Sequence, residues 1–173
     1  GLLATYFMLS AEIYLATQRA QGPQNDPTTH QPTGGIYKLV SGQVTTTLTP
    51  VKDNSIFSES GLLSDGLGFI YAGKTGPNAG NALRRALLAF DVAGQLPAGA
   101  IVDATQLTLN LNKSSSVTGN MSLHRLSENW GEGTSDAGDP GGAGTLATAN
   151  DATWTERFFN EAHNQTWTSQ GGT

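Results

Sequence analysis

A chain of 173 residues with 13% charged residues, 22 glycines and a formal charge of −5 has the length of one modest domain and the composition of a turn-rich β protein, not of a helical bundle. No basic cluster exceeds the Arg84-Arg85 pair, so the electrostatic footprint that a phosphate backbone demands is missing and no nucleic-acid partner is expected. Cysteine is absent, which removes disulfides and thiolate metal sites and leaves redox chemistry silent on compartment.

Residues 1–20 are apolar for most of their length but carry Glu12 near the middle. They are too short and too interrupted for a membrane span of ~20 apolar residues, and no membrane span is expected in the mature domain. Leu2 to Ala11 resembles the apolar part of a secretory signal without the basic region that precedes one. Tyr6, Leu9, Ile13 and Ala16 fall at helical spacing, so a buried or amphipathic helix is the alternative. Residues 21–35 hold three prolines and almost no apolar side chain, a composition that cannot build a core and reads as an extended linker. The folded domain is expected over 36–173.

Within it, Thr45 to Thr49 is rich in β-branched residues and predicts an opening strand, with Pro50 to Asn54 as a turn. Phe69 to Gly73 predicts a short strand. Leu83 to Asp91 is apolar on both alternating faces, as befits a central strand covered from both sides, and Leu96-Pro-Ala-Gly-Ala predicts the turn after it. Over Ile101 to Asn112 the period is two: Leu107, Leu109 and Leu111 face a core while Thr108, Asn110 and Asn112 face water. Val117 to Leu126 repeats the theme, with Met121, Leu123 and Arg125 on one face, and breaks into Trp130-Gly-Glu-Gly. Strands spaced near ten residues apart, with turns between, predict an all-β antiparallel sandwich or barrel.

Several segments in this order resemble the DNRLRE, or disaggregatase-related, β-domain family of secreted and cell-surface proteins. They are Pro50-Val-Lys-Asp-Asn-Ser-Ile-Phe-Ser-Glu, Ala72-Gly-Lys-Thr-Gly, Arg84-Arg-Ala-Leu-Leu-Ala-Phe-Asp and Leu96-Pro-Ala-Gly-Ala. Leu123-His-Arg-Leu, Trp130-Gly-Glu-Gly-Thr-Ser, Asp151-Ala-Thr-Trp and Trp167-Thr-Ser-Gln-Gly-Gly complete the set. No single motif is specific; their joint order carries the resemblance. It implies a jelly-roll-like β-sandwich akin to carbohydrate-binding modules, some of them alginate-binding, within a larger secreted polypeptide. It also implies further strands past the final Gly-Gly, so the domain reads as incomplete at its C-terminus.

Three residue sets are candidates for chemistry. Trp130, Trp154 and Trp167 offer indole faces on which the C–H faces of sugars stack, or else they fill the core. Lys74, Arg84, Arg85 and Arg125 offer bidentate and point-charge contacts to a uronic-acid polymer, although neighbours on a strand point to opposite faces and an arginine here can instead pair with Asp91 or Glu132. Glu132, with Trp130 and Trp154, belongs to the expected polysaccharide-binding set. The oxygen donors Asp53, Asn54, Glu59, Glu132, Asp136, Asp139 and Asp151 suit a structural Ca²⁺, with Asp53, Glu132 and Asp151 the first choice; their spacing matches no EF-hand. Catalysis is not expected: His30, His124 and His163 are scattered, no nucleophile elbow is present, and nothing fixes the separation of Glu132, Glu161 and Asp151. The leading expectation is a non-catalytic polysaccharide-binding module; the alternatives are a structural spacer or adhesin module and, last, a fragment of a polysaccharide-degrading enzyme.

Overall fold

The computed structural model describes residues 5–19, 44–114, 120–138 and 142–172. The expected linker at 21–35, His30 and Asp139 lie outside them. The fold is all-β with antiparallel ladders and almost no helix. Its strands are β1 (Thr5–Arg19), β2 (Val44–Leu48), β3 (Lys52–Phe57), β4 (Leu63–Asp65), β5 (Ile70–Lys74), β6 (Leu83–Ala89), β7 (Ala100–Ser114) and β8 (Thr145–Leu146), with one helical turn, α1 (Val92–Gln95), before β7. No helix among the described residues is long and apolar enough to cross a membrane.

The chain divides into two compact units, one of Gly1–Ser10, Pro50–Ala89 and Leu109–Thr173, the other of Ala11–Thr49 and Phe90–Thr108. In the first, Thr5–Leu9 of β1 pairs with β5, β5 with β6, β6 with β3, β3 with β4 and β4 with β8, all antiparallel. In the second, Ile13–Thr17 of β1 pairs with β2, and Asp91 caps α1 by accepting a hydrogen bond from the Gly94 amide at 2.9 Å. The helix expected as one option for residues 1–20 is therefore corrected over Thr5–Arg19. Tyr, Phe, Ile and Thr favour the extended pleat, and ladder partners on β5 and β2 outweigh a helical spacing that no packing partner rewards.

Strand β6 fulfils the expectation of cover on both faces. Leu87 joins Ile56, Trp130, Ala152 and Trp167 in one apolar cluster, while Ala86 and Leu88 pack with Ala72 and Leu109 around Ile70. The segment Lys52–Asn54, expected as a turn, is instead the start of the central strand β3. Asn54 is fully buried, where its poor strand propensity is overridden because every part of its amide is used. Its Oδ1 accepts from the Ser64 hydroxyl at 2.9 Å and the Asp65 amide at 3.3 Å, and its Nδ2 donates to the Glu132 carbonyl at 3.0 Å. Only Pro50 and Val51 remain to make the turn.

Two further expectations change. β7 forms as predicted, but Leu111 is 53% exposed: alternation decides which side chains share a face, and a face is buried only where another element covers it. Val117 to Leu126 was expected as a strand; Asn120–Leu126 has no ladder partner among the described residues, and Leu123 stands 76% exposed. A period-two pattern alone cannot hold a strand without a neighbour to accept its backbone hydrogen bonds.

Replacing Asn54 with Ala takes their side-chain partner from the Asp65 amide and the Glu132 carbonyl, while the Ser64 hydroxyl keeps the Ala152 carbonyl at 2.9 Å. The expected loss is about 2–4 kcal/mol of unfolding free energy, read from urea denaturation. A loss under about 0.5 kcal/mol would place the anchoring of the Glu132 loop elsewhere.

Candidate functional site

The first unit carries a cleft of about 600 Å³, within the range of small-ligand sites. Its sides are formed by residues 72–74 of β5, residues 83–87 of β6, the extended segment 120–126 and the turn at Gly171–Gly172. Antiparallel pairing sets Lys74 opposite Leu83 and Gly73 opposite Arg84, which puts the end of one strand and the start of the next at one rim. The cleft brings Lys74, Arg85 and Arg125 together, with His124 beside them, and no Asp or Glu lines it among the described residues. All four basic residues singled out in sequence thus line it, Arg84 with its side chain buried.

Arg84 and Arg85 part company as adjacent strand residues must. The Arg84 side chain is 4% exposed and is ion-paired to Glu59, with Nη2 to Oε1 at 2.5 Å and Nη1 donating to Oε2 at 2.6 Å. Its guanidinium also lies 4.9 Å from the centre of the Phe57 ring. Arg84 borders the cleft, but its charge is spent on structure, and its acid is Glu59 and not the Asp91 or Glu132 expected. Arg85 lies with its guanidinium 4.8 Å from the centre of the Trp154 ring and donates from Nη1 to the Gly171 carbonyl at 2.5 Å. One of its five N–H donors is thereby committed, and the head group is held in a fixed orientation at the cleft.

The tryptophans do not form an open platform. Trp130 and Trp167 are each 4% exposed and belong to the Ile56 cluster. The Trp167 indole donates to the Thr153 carbonyl at 2.8 Å, and Lys52 lies 4.6 Å from the centre of the Trp130 ring. Trp154 is half-buried and has Arg85 against its face. Indole burial with a backbone partner for the N–H is the packing solution for a residue with one polar handle.

The acids gather elsewhere, around the Glu132–Ser135 loop. Glu132 accepts the Asp53 amide on Oε1 at 3.1 Å. Burial, and then the neighbouring Glu132 carboxylate, push Asp53 up to about 6. Burial likewise raises Asp65 to about 6, with Asp136, Asp151 and Asp53 adding to it and the Ala137 amide working against it. Asp151 is also raised, chiefly by burial and against hydrogen bonds from Thr148 and Ser135; its Oδ1 is buried without a hydrogen-bond partner. Gly133 is what lets the loop lie here: its φ is +68°, and a Cβ would sit 2.0 Å from Asp151 Oδ1. Among the described residues no three Asp, Glu or His side chains are arranged to hold a metal ion. The expected Ca²⁺ set is thus not assembled: Glu132 turns to Asp53, and Asp151 turns Oδ2 to the Thr148 hydroxyl at 3.0 Å. Asp136 serves its own turn, accepting the Gly138 amide at 2.8 Å.

Sequence reasoning overlooked Met121, Leu123 and the Gly171–Gly172 turn as parts of the cleft. The first two were legible in the period-two pattern once its apolar face was left uncovered; the glycines carried no signal. No family model, no curated protein and no solved structure matches the chain.

The raised carboxylates fix a sign. Asp53 and Asp65 prefer their protons in the folded state, so the stability these two contribute is fully present below about 4, declines as pH rises from about 4 to about 6 and is gone above it. Asn at position 65 keeps an oxygen to accept the Ala137 amide while removing the titration. Asp65→Asn is expected to gain on the natural protein as pH rises through that window and to level off above about 6. Paired thermal melts from pH 4 to 7.5 test this; a constant difference across the window would contradict it.

Proposed function

We propose that this chain is a non-catalytic carbohydrate-binding module of a secreted or cell-surface protein, related to the DNRLRE family and built as a jelly-roll-like sandwich. Its ligand is an acidic, uronic-acid-containing polysaccharide of the alginate kind, and its wider partner is the remainder of a larger polypeptide. The observation that carries this reading is the cleft at which Lys74, Arg85 and Arg125 meet without an acid among its described lining residues. Guanidinium groups bind carboxylates through parallel N–H donors, and a lysine at the rim adds charge without fixing geometry. Glycosidic cleavage by the common mechanism needs two carboxylates flanking the bond, and the described lining of the cleft holds none.

A second reading is favoured by a specific observation. The burial of Trp130 and Trp167 removes the stacking platforms common in sugar-binding sites and suits a structural spacer or adhesin module. The two readings differ in the work assigned to the cations: a spacer has no use for three of them at one cleft.

Arg125 is exposed and has no ion pair among the described residues, so Arg125→Ala tests charge without disturbing packing. The expected result is roughly tenfold weaker binding to alginate oligosaccharides, of the order of one charge-assisted hydrogen bond. Binding should also weaken further between 50 and 500 mM salt, as exposed ion pairs do (about 14 Å to about 4 Å of screening length). Titration calorimetry with alginate, pectate and a neutral glucan decides the matter. Absence of binding to both acidic polymers, or equal binding of the neutral one, would overturn the reading in favour of the spacer.

A further inference from the structure

Resting on the reading of the cleft as a site for an acidic polysaccharide, we infer that the preferred ligand is O-acylated, carrying small ester groups beside its carboxylates. Charge accounts for only half of the cleft's chemistry. Met121 is 48% exposed, Leu123 76% and Leu83 39%, and all three line the same cleft as Lys74, Arg85 and Arg125. Met121, Leu123 and Arg125 come from one short segment, 120–126, that lines the cleft, so apolar and cationic side chains meet at one concave surface. Uncovered aliphatic side chains grouped in a concave surface mark a place where something apolar docks.

A plain polyuronate has little to offer them. Its hydroxyls and carboxylates are polar, and its C–H faces are taken up by aromatic rings in sites built for them. No Phe, Tyr or Trp lines this cleft among the described residues; Trp154 lies beneath Arg85, and Trp130 and Trp167 are buried. An acetyl ester on a uronate hydroxyl presents a methyl group within one sugar ring of the carboxylate. It leaves that carboxylate charged, so the anion can meet Arg85 or Arg125 while the methyl meets Leu83, Met121 or Leu123.

The order of the elements suits such a ligand. Gly171 has φ +79°, and a Cβ there would lie 2.7 Å from Arg85 Nη1 and 2.9 Å from the Trp154 ring. The turn therefore packs its bare backbone against Arg85 and holds the guanidinium on the β6 side of the cleft. The aliphatic side chains of the 120–126 segment line the cleft as well. A carboxylate held on Arg85 then leaves the substituents of the same sugar free to reach them.

The test uses the intact chain and alginate oligosaccharides of one length, before and after chemical O-acetylation, in titration calorimetry. Acetylation is expected to tighten binding about fourfold for each methyl group buried and to make the heat-capacity change more negative. Leu123→Ser, at a side chain too exposed to support the fold, should erase that gain, so that the acetylated and plain oligosaccharides bind the variant with affinities within about twofold of each other. Met121→Ser is expected to do the same in part. Equal affinity for both oligosaccharides, with Arg125→Ala still weakening each, would overturn the inference and leave the acidic-polysaccharide reading standing. Failure of both oligosaccharides to bind would overturn both readings. Tighter binding of a synthetic peptide of alternating Glu and Leu would also overturn the inference, by assigning the cleft to an acidic extended chain.

Discussion

The side-chain amide of Asn54 joins the sheet to the loop that follows Trp130. Buried between β3, β4 and that loop, it bonds Ser64 and Asp65 on one side and the Glu132 carbonyl on the other. An amide has donors and acceptors in one rigid plane, so a buried Asn can satisfy two elements at once, where Asp could only accept from Ser64 and Asp65 and Leu could satisfy neither side. Once the Glu132 carbonyl is fixed, Trp130 is carried into the Ile56 cluster and Gly133 is set against Asp151. The same loop then crowds Asp53, Asp65 and Asp151 into surroundings that favour their protonated forms. The acid cluster is thus a consequence of how the loop is anchored, and burial is the first cause of its raised carboxylates.

That anchoring explains why the sequence was legible in some places and opaque in others. Leu83–Ala89 announced itself, because past Arg84 and Arg85 it is apolar on both alternating faces, as a strand covered on both sides must be. Val44–Leu48 and Ile70–Lys74 were also readable, from β-branched composition and flanking glycines. Lys52–Asn54 was not: Lys, Asp and Asn are turn residues by propensity, and only the long-range partners Ser64, Asp65 and Glu132 make a strand of them. Thr5–Arg19 misled in the opposite way, since its spacing fits a helix and the ladders that make it a strand lie far off in sequence. Local pattern failed wherever a residue's backbone or amide bonds were supplied by distant chain.

The candidate site shows the same division. That adjacent arginines must face apart followed from strand geometry, and Arg84 and Arg85 do so. Which of them was free to meet a ligand depended on Glu59, an acid that the sequence placed with the oxygen donors. Strand parity put Met121, Leu123 and Arg125 on one face, but parity could not say that the face would be left uncovered. Gly171 gave no sign at all, because a glycine near a cleft is recognised only when the space its missing side chain leaves is seen to be filled, here by Arg85 and Trp154.

The contrast between the tryptophans and the cations carries the functional argument furthest. Lys52, Arg84, Arg85 and Arg157 each lie against an aromatic ring, on Trp130, Phe57, Trp154 and Phe158. Placing cations over rings draws stabilisation from both, and Arg84 and Arg157 are also ion-paired, to Glu59 and Glu128. It also uses the aromatic faces that a sugar would stack on. What remains open at the cleft is therefore cationic and aliphatic, and a ligand that fits it must supply negative charge and small apolar groups together. A neutral glucan supplies neither, a plain polyuronate supplies the first, and an acylated polyuronate supplies both.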